Sequence, residues 1–151
     1  MIFNRTQDDV DKGIRLRREK VQTFQELTDS EIETLEKATM TINTLNRIEG
    51  KQEELKNLFN NMGYWNTPTV NKVWATTQIF NAAEFQRILN NTNILREAFF
   101  VYKNTPSTPP VSYHFEDINS LEKILFDLDV MINDVKSRYR QCGTFQSGEE
   151  D

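Results

Sequence analysis

The stretch Ile118-Asn119-Ser120-Leu121-Glu122-Lys123-Ile124-Leu125-Phe126-Asp127-Leu128-Asp129-Val130-Met131-Ile132-Asn133-Asp134-Val135 decides the fold class. Its apolar positions Ile118, Leu121, Leu125, Leu128, Ile132 and Val135, followed by Tyr139, alternate steps of three and four, and Ile124 and Met131 widen the stripe. Such steps place side chains on one face of a 3.6-residue helix, whereas a half-buried strand alternates at every second residue. A long helix with a broad apolar face must cover it with other elements, and the rest of the chain supplies mainly helices.

Upstream, Asn104 to Ser112 carries Pro106, Pro109 and Pro110 and predicts a loop, because proline lacks the donor that a ladder needs. Before that loop, Asn81-Ala82-Ala83-Glu84 has the cap-to-N3 spacing of a helix start, with Phe85, Ile88, Leu89, Leu95 and Phe99 on one face. Asn90, Asn91, Thr92 and Asn93 interrupt this face and allow two shorter helices in series. Residues 64–79, with Trp65, Thr67, Pro68, Val70, Val73 and Trp74, favour extended or irregular backbone. They predict a loop packed by its indoles and leave room for a short strand pair near Val73 and the Cys142 segment.

Farther back, Ile42, Leu45, Ile48, Gln52, Leu55, Phe59 and Met62 predict a helix capped by Thr41 or Asn43 and closed by Gly63 in the left-handed conformation. Gly50 inside it marks a close helix contact or a break. Thr28-Asp29-Ser30-Glu31 opens a shorter helix with Ile32 and Leu35. Thr6 to Asp9 has the spacing of a capping box and begins a first helix from about Gln7 to Phe24. Arg17 and Arg18 interrupt its stripe of Val10, Ile14, Val21 and Phe24, so that helix is expected to be peripheral. The expected fold is all-α: an irregular antiparallel bundle of four to five helices, with residues 1–140 forming one helical domain. The last helix is expected to end beyond Arg138, and 141–151 to form a C-terminal interaction arm, since this segment is polar except for Phe145 and closes on Glu149, Glu150 and Asp151.

A chain of 151 residues is the size of one domain. Its 18 Lys and Arg against 23 Asp and Glu give a net charge of -5, which argues against bulk binding of nucleic acid. At 37% apolar the core is lean. One cysteine excludes an internal disulfide and makes a reducing compartment the default. No apolar run approaches a membrane span, and Met1-Ile2-Phe3 followed by charges lacks the stretch of a secretory signal, so the chain is expected to be soluble and cytosolic when made. There is no fixed-period repeat.

No constellation of catalytic type emerges. Metal sites want clustered ligands, and the chain has one histidine, His114, and one cysteine, Cys142. These two lie at opposite ends of the last helix, roughly 30 Å apart for about 20 residues, too far for a nucleophile and its base. The five glycines, at 13, 50, 63, 143 and 148, do not cluster into a phosphate-cradling loop. We expect no catalytic, metal or cofactor residues. The dense basic segment Lys12, Arg15, Arg17, Arg18 and Lys20 lies among Asp8, Asp9, Asp11 and Glu19, which suits a solvated paired surface or a docking face for an acidic partner, including the acidic tail of another copy. Arg15, Arg17, Arg18, Lys20, Phe145, Glu149, Glu150 and Asp151 are therefore the candidate partner contacts. Arg47, Arg87 and Arg96 sit one or two positions from apolar faces, and with Asn46 and Glu49 they are candidates for interhelical polar pairs; the alternative for each arginine is to snorkel along the helices.

Several segments occur in a telling order: Asn4-Arg5-Thr6 with Asp9-Val10; Leu45-Asn46-Arg47-Ile48-Glu49; Trp74; Phe85-Gln86-Arg87-Ile88-Leu89; Leu95-Arg96-Glu97-Ala98-Phe99; and Tyr139 with Cys142-Gly143-Thr144-Phe145-Gln146-Ser147-Gly148-Glu149. Together they span nearly the whole chain, which resembles a small helical domain of virion proteins from tailed phages that infect Gram-positive bacteria, in the tail, baseplate and fibre region. The resemblance implies a non-enzymatic structural subunit without cofactor, tail or baseplate associated. Such a subunit is made in the host cytoplasm, located in the virion, and acts through contacts with copies of itself and with other virion proteins. A head or neck component is the alternative within that class. Outside it, the alternative is a helical regulatory protein that binds nucleic acid through the basic face.

Overall fold

The computed structural model describes residues 1–146, with side chains through Arg138. Five α-helices follow one another: α1 (Gln7–Leu16), α2 (Asp29–Ala38), α3 (Ile42–Asn61), α4 (Ala82–Ala98) and α5 (Phe115–Gln146). The fold is all-α. α3, α4 and α5 pack against one another, and the main packing of α1 and α2 is with each other.

The core is built from α3 to α5 and the segment between α3 and α4. Ile48, Leu55 and Phe59 from α3, Phe85, Ile88 and Leu95 from α4, and Leu121, Ile124, Leu125, Leu128 and Ile132 from α5 are wholly buried, and Trp74 joins them. The three-and-four spacing of these positions makes each face continuous, so burying it removes a compact apolar area from water.

Local chemistry sets the boundaries. Thr6, Thr28 and Thr41 each accept from the N3 amide of the following helix, and the side chains of Asp9, Glu31 and Thr44 return the bond. Asn81 caps α4 by accepting from the Glu84 amide. At the end of α3, Gly63 takes φ +85°, the Gly63 amide bonds the Asn60 carbonyl, and the Tyr64 amide bonds the Phe59 carbonyl at 2.8 Å. Gly50 marks neither a break nor a close contact: α3 runs through it, and an added Cβ would meet nothing within 4 Å.

Four expectations change. The first helix is not uniform: beyond Leu16 the backbone widens into a π-helical turn over Arg17–Val21 and stops there. Phe24 then takes the left-handed φ of +57° while its amide bonds the Val21 carbonyl and the Gln25 amide the Lys20 carbonyl. This is the closure that Gly63 gives α3, made here by a residue for which left-handed backbone costs about 1–2 kcal/mol. Second, α4 is one helix, because Asn91 and Thr92 turn inward to bond other groups instead of breaking it. Third, no strand forms among the described residues: the extended backbone near Thr69 and Trp74 is satisfied by side chains, and Cys142 lies within α5. Fourth, α5 continues to Gln146, past the boundary expected beyond Arg138, so residues 141–146 of the expected arm prolong the helix. The side chain of Phe145 and all of residues 147–151, with Glu149, Glu150 and Asp151, lie outside the described residues.

The α1–α2 hairpin stands apart from the core. Gly13 is its one buried residue, and an added Cβ there would fall 1.9 Å from the Ala38 Cβ, so the two helices cross where only glycine fits. What ties this hairpin down is polar and lies at its roots.

Candidate functional site

Two buried carboxylates organise the molecule. Glu122, on the inner side of α5, has a wholly buried side chain. Its Oε1 accepts from Arg5 at 2.7 Å and from Arg47 at 2.9 Å; its Oε2 accepts from the Ile2 amide at 2.5 Å and from Arg47 Nε at 3.1 Å. Four donors fill the roughly four acceptor positions of a carboxylate. Arg5 is itself buried, gives a second bond to the Ile2 carbonyl, and its backbone exchanges bonds with the Asn119 amide side chain at 3.1 and 3.0 Å. Phe3 packs against Phe126 with centroids 5.0 Å apart and ring planes tilted by 48°, under the ammonium of Lys123. Residues 1–5 thus form a strap pinned to α5, and Arg47 brings α3 to the same point.

Glu49 on α3 is the second. It accepts from Arg87 of α4 and, at 2.5 Å, from the amide of Lys72. Arg87 also bonds Glu84 at 2.9 Å and the Val70 carbonyl at 3.2 Å, and Lys72 pairs with Glu84. Two asparagines complete the hold on the segment between α3 and α4. Asn46 brackets Trp74, accepting from its amide at 2.6 Å and donating to its carbonyl at 3.1 Å. Asn91 brackets Thr69 in the same way, at 3.0 and 3.1 Å. Each amide side chain supplies the donor and acceptor that a neighbouring strand would have offered.

Smaller networks finish the interior. Gln52 donates to the Ile88 carbonyl at 2.8 Å and to the Thr92 hydroxyl at 2.7 Å. Asp127, nearly buried, accepts from Thr105 at 2.6 Å and pairs with Lys123, which fastens the proline loop to α5.

Of the expected polar contacts, Glu49 and Arg87 meet each other, Arg47 meets Glu122, and Asn46 holds backbone. Arg96 is the exception: its Nε is buried without a hydrogen-bond partner among the described residues. Of the expected partner contacts, only those of the first helical run have described side chains. Arg15, Arg17 and Arg18 are exposed, while Lys20 pairs with Glu31 of α2 at 2.6 Å. His114 is exposed at the start of α5. Among the described residues no group of three or more His, Cys, Asp or Glu is placed to hold a metal, and no helix is long and apolar enough to cross a membrane.

Sequence reasoning did not reach Arg5, Asn119, Glu122, Asp127 or Thr105. A signal existed for Glu122, which falls four after Ile118 and three before Leu125, on the apolar face. A charge there is buried and must be paired. Nothing in the sequence said that the partner was Arg5.

No protein-family model, curated protein or solved structure matches the chain. The chemistry of the networks is therefore what there is to argue from. The lone pairs of Glu122 are occupied by structural donors, so this carboxylate positions segments. Burial pushes its carboxyl up, but the bonds from Arg47, Arg5 and the Ile2 amide outweigh burial and hold it below the ordinary value. The lowered folded pKa means that the contribution of Glu122 is complete above the unfolded value, about 4.3, and is lost as pH falls through the folded one. Urea midpoints of the native chain and of Glu122→Gln should therefore lie furthest apart at neutral pH and converge below about pH 4. A gap that stays constant down to pH 2 would mean that Glu122 does not titrate with folding.

Proposed function

We propose that the chain is a non-enzymatic structural subunit of a tailed-phage virion, tail or baseplate associated, working through contacts with other copies of itself and with other virion proteins. In this reading α1–α5 form an irregular antiparallel bundle whose Trp loop is packed through Trp74 alone, Trp65 standing in solvent instead of pinning the loop as its sequence suggested, and the buried ion pairs fix the register of that bundle. The ordered resemblance of its segments to such proteins supplies the class. One surface feature carries the reading further. In the segment between α3 and α4, Trp65, Val70, Val73 and Ile79 are 81%, 81%, 86% and 83% exposed, although Asn46, Glu49, Asn91 and Arg87 hold that segment firmly. An ordered surface that presents several large apolar side chains to water is suited to a partner. A particle subunit supplies partners permanently, which is why such a surface is tolerable there.

The test is fractionation. Particles purified on a density gradient from the phage that encodes the chain should contain it at a stoichiometry of several copies per particle. Recovery of the chain only in the soluble lysate would reject the virion reading. Deleting residues 141–151 should remove the helical residues 141–146 at the end of α5, leave melting nearly unchanged and lower incorporation, as expected of a terminal arm. Incorporation equal to that of the full chain would remove the arm from the proposal.

A further inference from the structure

We infer that the face of α5 beneath residues 1–5 is a recognition groove for a basic segment of a partner protein, one with an aromatic residue two positions before an arginine, and that residues 1–5 are its built-in competitor. The inference goes beyond the virion reading and does not depend on it.

Asn119, Glu122, Lys123 and Phe126 are spaced i, i+3, i+4 and i+7 and so form one stripe along α5. Each of the four touches residues 1–5. Asn119 reads the main chain, accepting from the Arg5 amide and donating to the Arg5 carbonyl. Glu122 reads the arginine, and Phe126 with Lys123 reads the ring, the ammonium lying 5.3 Å from the Phe3 centroid and 5.4 Å from that of Phe126. Main chain, cation and ring are each met by a separate group, as at sites that recognise short peptides.

The strap is exchangeable because the body is complete without it. The wholly buried apolar side chains come from α3, α4 and α5, while Met1, Ile2 and Phe3 are only half-buried. A cavity of about 220 Å³ opens beside Phe3, against Pro106 and Ser120, and another of about 220 Å³ opens beside Arg5, against Lys37 and His114. The strap is therefore not sealed in, and a longer segment has room to continue. With it lifted, Arg47 still bonds Glu122 through two nitrogens and keeps α3 joined to α5.

The groove also selects its occupant. Without the strap, Glu122 is a buried carboxylate with the positions of Arg5 and the Ile2 amide vacant, which calls for a cation. Arg5 bonds Glu122, Asn119 and the Ile2 carbonyl at once, a fork that a guanidinium supplies and an ammonium does not. The net charge of -5 draws in basic segments and repels further copies of this chain, so a basic partner is favoured over a second copy. Occupation has a consequence for the fold: the α1–α2 hairpin, whose main packing is internal, keeps its link through residues 39–41 and loses its tie at the other root.

The probe is a fluorescent peptide with the sequence of residues 1–6, blocked at both ends, added to the full chain and to its Phe3→Ala/Arg5→Gln double variant. In the native chain the strap competes at an effective concentration on the order of millimolar, so the double variant should bind the peptide about tenfold or more tightly. Arg5→Gln or Arg5→Lys in the peptide should weaken binding about tenfold or more, the loss expected for a forked, charge-assisted contact. A peptide that keeps only Phe3 and Arg5, with alanine elsewhere, should still compete, which separates recognition of a motif from reassociation of a fragment. The native chain gives a readout that does not depend on the variant folding: millimolar peptide should raise amide exchange in residues 2–5 and leave exchange in the core of α3 and α5 unchanged. A strap that serves structure alone would open only with the whole fold. Unchanged exchange in residues 2–5, competition by the exact sequence alone, or equal binding of the Arg5→Lys peptide overturns the inference. Dimers of the native chain in sedimentation that Arg5→Gln abolishes would make a second copy the occupant and overturn it as well.

Discussion

Replacing Glu122 by Ala is expected to cost about 3–5 kcal/mol, the range for removing one partner of a buried ionic cluster. The magnitude follows from what remains behind. Arg5, with 2% of its side chain exposed, would keep its charge and lose its carboxylate, and the Ile2 amide would lose its acceptor. Arg47, at 24% exposure, can turn toward water and should contribute less. The loss is therefore expected to concentrate in the strap, and amide exchange in residues 2–5 should rise before exchange in α3. Arg5→Met combined with Glu122→Leu should recover part of the stability, because an apolar pair of similar volume avoids burying the charges at all. Urea unfolding of the native chain, Glu122→Ala, Arg5→Met, Glu122→Leu and the double variant checks the prediction. A loss below about 1 kcal/mol for Glu122→Ala would show the cluster to be solvated, like an ordinary surface pair.

Leu128→Asp is expected to be worse. Leu128 is wholly buried in the shared core of α3, α4 and α5, and a carboxylate there has no cation assigned to it. The cost of burying an unpaired charge is several kcal/mol, comparable with the roughly 5–15 kcal/mol that holds a domain of ordinary stability together. Little soluble folded protein should remain. Leu128→Ala provides the graded version: about 2–5 kcal/mol lost to transfer and cavity terms, with the chain still folded and its melting point lowered. Unchanged melting of either variant would remove α5 from the core.

The apolar periodicity made α3 and α5 legible because burial is the main force and repeats with the helix. Thr6, Thr28, Thr41, Asn81 and Gly63 were legible for a local reason, since a cap needs only its own next few residues. What escaped was non-local. Arg5 and Glu122 lie 117 residues apart, and no spacing rule links them. Asn91 and Thr92 looked like helix breakers because their side chains compete with backbone bonds, yet tertiary partners at Thr69 and Gln52 use that same polarity. The widening at Arg17–Val21 leaves no mark in residue types, and Phe24 stands in a position for which glycine is the ordinary choice. Among the candidate contacts, the sequence pointed to Asn46, Arg47, Glu49 and Arg87, but their partners emerged only when the helices were brought together.

The strap on Glu122 also sets an order in time. During synthesis, residues 1–5 emerge well before α5, which carries their acceptor, so over the 117 residues between Arg5 and Glu122, at about 5–20 residues per second, they wait roughly 6–23 seconds for it to be made. Throughout that interval the α1–α2 hairpin, whose helices meet each other, is able to form with its root undocked, and Phe3 remains without Phe126. The last long helix is thus the element that gathers in residues 1–5, and a nascent chain halted before Glu122 would expose that segment to chaperones and proteases.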